Sequence, residues 1–171
     1  MDYLTLTDLL DQPGAVELAQ VTTPAGGPAV DPALLAALMR GEDISAAPDE
    51  AQAGVKAACA RQESVMAEAQ GLIDGYLRQR GYALPLKAIP PILKGWARAI
   101  VRYKLHAHRL SDEKTDPVVR DYRDALLLLG QVATGKFSLG LGDTLPPAGG
   151  KPAVTGPGRT FSMDSLRDYG K

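Results

Sequence analysis

The chain has a single cysteine, Cys59, among 171 residues. One cysteine excludes an intramolecular disulfide and a thiolate zinc cluster. No apolar run approaches the roughly eighteen residues of a membrane span, and the N-terminus lacks a basic-then-apolar leader. The expectation is a soluble protein, made in a reducing compartment and not exported by a cleaved leader, with no membrane partner. Aromatic residues are also scarce, at six tyrosines, two phenylalanines and one tryptophan. The core must therefore come mostly from Leu, Ile, Val and Ala, which favours helices. No sign of charge dominates: the formal net charge is −1, which offers no global attraction to nucleic acid or anionic lipid.

What is present is a segregation of charge along the chain. Met1 to Glu50 holds nine acidic residues and one basic, whereas Ala51 to Gly142 holds fourteen basic and eight acidic. An acidic head and a basic middle suit a molecule that meets copies of itself or a charged partner, and a solvated surface gives the same pattern. At this length, with hydrophobic residues at 45%, one domain with a real core and appendages is expected.

The periodicity predicts an all-α protein: a small bundle of three long helices, short N-terminal helices over residues 1–21, and an extended C-terminal tail. LTDLLDQPG has capping-box spacing between Thr5 and Asp8, with Pro13-Gly14 as a stop, and AVELAQV forms a second short piece. Residues 22–50 are rich in Pro, Gly and Ala and read as a variable excursion outside the core, with ALLAALM as a small helix. The bundle core is expected over 51–142. Its first helix runs from Ala51 to Arg80, capped by Ser45 or Asp49, with Val55, Cys59, Gln62, Met66, Ala69, Ile73 and Tyr76 on one stripe. Gly71 and Gly75 inside it cost about 1 kcal/mol each relative to Ala, which predicts a close backbone crossing there.

The stretch LIDGYLRQRGYALPL should stop that helix at Gly81. Tyr82, Leu84 and Leu86 then alternate along the bundle, and Arg78 and Arg80 stand outside. Pro90-Pro91 opens the second helix, to about Leu110, with Leu93, Trp96, Ile100, Tyr103 and Ala107 facing in. Asp116-Pro117 opens the third, to about Thr134, with Val118, Tyr122, Ala125, Leu126, Leu129 and Val132 facing in and Gly135 as its stop. FSLGLG is a candidate short strand. Residues 143–171 are a Pro/Gly-rich linker followed by RTFSMDSLRDYGK, where large side chains return.

Motifs for catalysis fail on their own terms. GQVATGKF has the Gly, four residues, Gly, Lys spacing of a phosphate loop, but Phe137 stands where the magnesium-binding Ser or Thr belongs and no helix follows. His106 and His108 lie two apart and project roughly 200° apart on a helix, so they do not share a metal. The serines show no nucleophile elbow. No enzyme, metal or cofactor is argued.

Two surface features remain. From Lys87 to Leu110 there is no acid, and Lys94, Arg98, Arg102 and Arg109 line one face opposite the apolar one. Three readings stay open for this stripe: a solvated face, a subunit or protein interface with acidic groups, or contact with DNA as a DNA-binding or packaging accessory protein. On the third helix Leu127 shares a face with Arg120, Arg123 and Gln131 and marks a candidate subunit contact.

The order of segments carries a resemblance. IDGYLRQRGYALPL, IPPILKGWARAIVRYKL, RDYRDALLLLGQVATGKFSLG and RTFSMDSL together resemble the neck proteins of Mu-like tailed phages and prophages. The shared elements are Tyr76-Leu77, Tyr82-Ala83-Leu84-Pro85-Leu86, Ile100-Val101-Arg102-Tyr103 and Gly135-Lys136-Phe137-Ser138-Leu139-Gly140. The resemblance covers Leu72 to Gly140 well and the N-terminal helix loosely, and residues 22–50 depart from it. It implies a non-enzymatic head–tail connector of the virion, made in the host bacterial cytoplasm and sited at the neck. Such an adaptor forms a twelvefold homo-oligomeric ring beneath the portal protein, meets a stopper or tail-terminator protein, and has DNA passing through it. The returning motif, with Arg159, Phe161, Met163, Leu166 and Tyr169, is then the expected portal-binding tail.

Overall fold

A computed structural model describes residues 3–23, 27–106 and 115–141. Six helices lie among them: α1 (Leu6–Asp11), α2 (Ala15–Thr22), α3 (Pro32–Met39), α4 (Asp49–Arg80), α5 (Pro91–Leu105) and α6 (Pro117–Ala133). The described residues contain no strand. The all-α expectation holds, and FSLGLG, as far as Leu141, is irregular. Its apolar side chains are still used: Leu139 is buried and Phe137 meets Trp96 edge-on, with ring centroids 5.8 Å apart.

The three long helices pack on one another as a triangle, and α3 lies on α1, α2 and α4. Ile73, Leu77, Leu93, Ile100 and Leu129 are fully enclosed between the long helices. Each such leucine or isoleucine contributes about 1.5–3 kcal/mol by leaving water. The stripe predicted on α4 is the buried one, with Met66 and Tyr76 partly covered. On α6 the predicted inward residues are buried or half-buried, and Tyr122 stacks on Tyr103 with centroids 3.9 Å apart and rings 5° from parallel.

Four expectations need correction. Residues 22–50 do not stand outside the core: Val30, Leu35, Met39 and Ile44 are all buried, Leu35 completely. The Pro and Gly there are helix boundaries. Asp31 caps α3 by accepting from the Ala33 amide, Pro32 opens it, and Gly41 (φ +79°) closes it. PALLAALM carries no charge, so a helix made of it is driven onto the bundle on most of its surface.

Neither Ser45 nor Asp49 caps α4. Its N-cap is Pro48, which makes no side-chain cap bond, and Ser45 turns to the Asp43 carboxylate instead. The glycines of α4 make no close crossing either, since a Cβ at Gly71 or Gly75 would meet nothing within 4 Å.

Finally, Arg80 does not stand outside. Its guanidinium carbon lies 3.2 Å from where a Cβ on Gly135 would sit, so it covers the C-terminal turn of α6, where a cation is favourable.

The helix stops expected at Gly81 and Gly135 are both formed. Gly81 (φ +94°) lets Tyr82 N–H reach back to the Leu77 carbonyl at 3.1 Å, and Gly135 (φ +76°) lets Lys136 N–H reach Gln131 at 2.8 Å. A left-handed residue after the helix satisfies carbonyls that would otherwise be orphaned. After Gly81 the side chains alternate as predicted, with Leu86 buried and Tyr82 and Leu84 half-buried against the core.

Candidate interaction surfaces

The basic face of α5 has a partner within its own chain. Proline at the first turn sets the helix, and steps of four place Lys94, Arg98 and Arg102 in one line. Against that line lie α1, the turn after it, and α2. Lys94 Nζ is 3.5 Å from Asp8 Oδ1, and Arg98 Nη1 donates to Gln12 Oε1 at 2.7 Å. Arg102 holds Glu17 with two parallel bonds, Nε to Oε1 at 2.6 Å and Nη2 to Oε2 at 2.8 Å. This paired geometry is the strong form of a charge-assisted bond.

His106 extends the cluster. Its Nδ1 lies 2.8 Å from the Arg102 carbonyl oxygen and its Nε2 3.4 Å from Glu17 Oε1. On the opposite side of the helix Lys104 pairs with Glu68 at 2.8 Å.

The ionisation of these groups follows their contacts. The bond to Glu17 raises the Arg102 guanidinium above its usual pKa, against the opposing effect of burial. The Thr5 hydroxyl, with a smaller contribution from Lys94, holds the Asp8 carboxyl below its usual range. Thr5 and Asp8 form the predicted capping box, so one carboxylate both caps α1 and meets α5. Burial and then a hydrogen bond to Asp74 raise Tyr3 above its ordinary pKa, which ties the N-terminal segment to α4.

Glu17, Asp8 and Gln12 are the residues that sequence reasoning missed. The signal is the charge segregation itself, which on sequence alone fits contacts between molecules or a solvated surface. Two of the acids, Asp8 and Glu17, are used within one molecule, because the turn at Pro13-Gly14 brings α1 and α2 within side-chain reach of α5.

The outer face of α6 differs. Leu127 is 59% exposed, with Arg120 and Arg123, both exposed, on the preceding turns. Arg120 makes only a long contact of 3.7 Å to its neighbour Asp121, in a pair that is 72% and 49% exposed. Such a pair holds little energy. Arg109 and the tail residues Arg159, Phe161, Met163, Leu166 and Tyr169 lie outside the described residues.

The phosphate-loop spacing is not formed as a loop. Gly130, in the loop-like motif GQVATGKF, is inside α6, and Gly135 ends that helix. No group of three or more His, Cys, Asp or Glu side chains among the described residues could hold a metal ion. A groove of about 530 Å³ lies between the α1–α2 turn, α5 and α6, with Trp96, Ala99, Ala125 and Leu128 in its wall. Its arginines are Arg98 and Arg102, already engaged by Gln12 and Glu17. No helix among the described residues is long and apolar enough to cross a membrane.

Comparison with known proteins places this arrangement. The sequence model of the family described as "Bacteriophage Mu, Gp36" matches residues 3–155. A curated relative, the Mu-like prophage FluMu protein gp36 of Haemophilus influenzae, is 38% identical over 84 residues. That alignment takes in 49% of this chain and 56% of the relative, so the chain spans little more than half the length of the curated protein it matches.

Proposed function

We propose, for a chain that belongs to the Bacteriophage Mu Gp36 family, a structural role in the virion: a head–tail connector that forms a ring beneath the portal and joins it to the tail. The observation that carries this reading is the family match, which spans all the described residues. The all-helical fold of the described residues is compatible with it. On this reading the protein is not an enzyme. The ring follows the portal's twelvefold symmetry, its lower side receives a stopper or tail-terminator protein, and DNA passes through its centre.

The tail motif from Arg159 to Lys171 supplies the portal contact, with the linker before it providing reach. Apolar side chains at Phe161, Met163, Leu166 and Tyr169 supply the apolar anchors such a contact needs. The stripe Lys94, Arg98 and Arg102 serves the subunit's own architecture on this reading. Lys94 and Arg102 meet the carboxylates of Asp8 and Glu17, while Arg98 bonds the neutral Gln12.

Electron microscopy of the purified protein with and without the cognate portal tests the proposal. Rings stacked on the portal are expected, and a monodisperse monomer that ignores the portal would overturn it. Deleting Arg159 to Lys171 should abolish portal binding and leave the helical circular dichroism intact. Unchanged binding would remove the tail from the contact.

A further inference from the structure

A ring requires two different patches on each subunit, so that each copy presents one to the next and the contact closes. The α6 face supplies one, the exposed Leu127 with Arg120 and Arg123 on the same side and Asp124 on the preceding turn. Two other large apolar side chains are comparably exposed, Val16 at 61% and Ile92 at 41%. Neither shares its face with a pair of cations.

A concave patch of opposite charge lies elsewhere on the subunit. A hollow of about 300 Å³ opens where the segment before α3 meets the first turns of α4. Its wall combines Ala29, Val30, Ala51 and Gly54 with the exposed carboxylates of Asp31 and Glu50, and it includes no cation. Asp49, also exposed, is the residue next to Glu50. Gly54 leaves the hollow open, since a Cβ there would meet nothing within 4 Å. The two patches sit on different flanks: α6 packs chiefly on α4 and α5, whereas α3 packs on α1, α2 and α4.

We infer that the Leu127 face of α6 in one copy seats in the Asp31–Glu50 hollow of the next copy, as the head-to-tail contact of the ring. The apolar knob meets an apolar-floored hollow, and Arg120 approaches carboxylates. Complementary charge of this kind fixes register and rejects wrong pairings more than it adds affinity. The inference rests on the ring reading, and the experiment separates the two.

Full-length variants Leu127→Glu and Gly54→Lys are assembled under the conditions in which the wild type forms rings, alone or on the portal. Light scattering and electron microscopy give the size, and circular dichroism verifies the fold. Each variant should lose rings. Mixed in equal amounts they should form a discrete dimer and stop, because one intact knob and one intact hollow remain between them. Arg120→Glu, at an exposed position, should also lose rings and serves if Leu127→Glu does not fold.

Rings that survive either variant overturn this contact and leave the ring standing. So does a loss with Leu127→Glu that Gly54→Lys does not share. A wild type that makes no ring, alone or on its portal, overturns the ring reading and this contact with it.

Discussion

The basic face of α5 and the outer face of α6 look alike in sequence, each a helix with arginines at helical spacing, but they are used differently. On α5 the cations meet Asp8, Gln12 and Glu17 of the same chain. On α6 Arg120 and Leu127 stay in solvent. A count of charge along a helix therefore says little about partners. What matters is whether another element of the same chain is laid against that face. Side chains of α1, the turn after it and α2 reach α5, and no helix among the described residues packs over the Leu127 side of α6.

The comparison can be broken most forcefully at the layer that covers α5 and α4. Leu35→Ala should cost about 2–5 kcal/mol in urea unfolding, since it empties a fully enclosed site. The same truncation at Leu127 should change stability by less than about 0.5 kcal/mol. Equal effects would mean that residues 22–50 are no part of the core.

Glu17→Ala should follow at about 1–2 kcal/mol, because it strips the paired acceptor from Arg102 and leaves a half-buried guanidinium. A double-mutant cycle with Arg102→Ala should then show coupling, while a cycle between Glu17 and Arg120 should show none.

Gln62 gives a change in the opposite direction. It is fully buried on α4, and neither its Oε1 nor its Nε2 has a hydrogen-bond partner. Gln62→Met should raise stability by about 1–2 kcal/mol by removing two desolvated polar atoms, read as a higher denaturant midpoint at unchanged slope. Gly71→Ala and Gly75→Ala should each add about 0.5–1 kcal/mol, since both positions are helical and open. A loss at either would restore the close crossing that the geometry lacks.

The smallest effect expected is on pH. The folded pKa of Asp8 is below its ordinary value, so its contribution is complete above the unfolded value of roughly 4 and disappears as pH falls through the folded one. Asp8→Asn should therefore destabilise by about 0.5–1 kcal/mol at neutral pH. In acid, below both values, the two proteins should have the same urea midpoint.

Much of the fold was legible because its signals are local. The Thr5–Asp8 box, Pro91 and Pro117 at helix starts, and Gly81 and Gly135 at helix ends each act within one turn of backbone. The inward stripes of α4 to α6 follow from a period of 3.6 residues. Less legible was α3, because Pro and Gly mark a helix boundary and an unstructured excursion alike. Leu35 becomes core only when α1, α2 and α4 surround it.

Among the candidate surface residues, the helical face of Lys94, Arg98 and Arg102 was readable and its partner was not. The acids that meet it lie 85 and 86 residues away in the chain. Leu127 was readable as out of phase with the buried stripe, and it is exposed as that phase requires.

The sequence by itself determined that this protein is helical, where most of its helices begin and end, and which faces turn inward. These depend on backbone conformation and side-chain period, which neighbouring residues set among themselves. Only the tertiary structure decided which charges are neutralised and which remain for another molecule. That depends on distances between segments far apart in the chain, and the turn at Pro13-Gly14 and the packing of α1 to α3 set those distances.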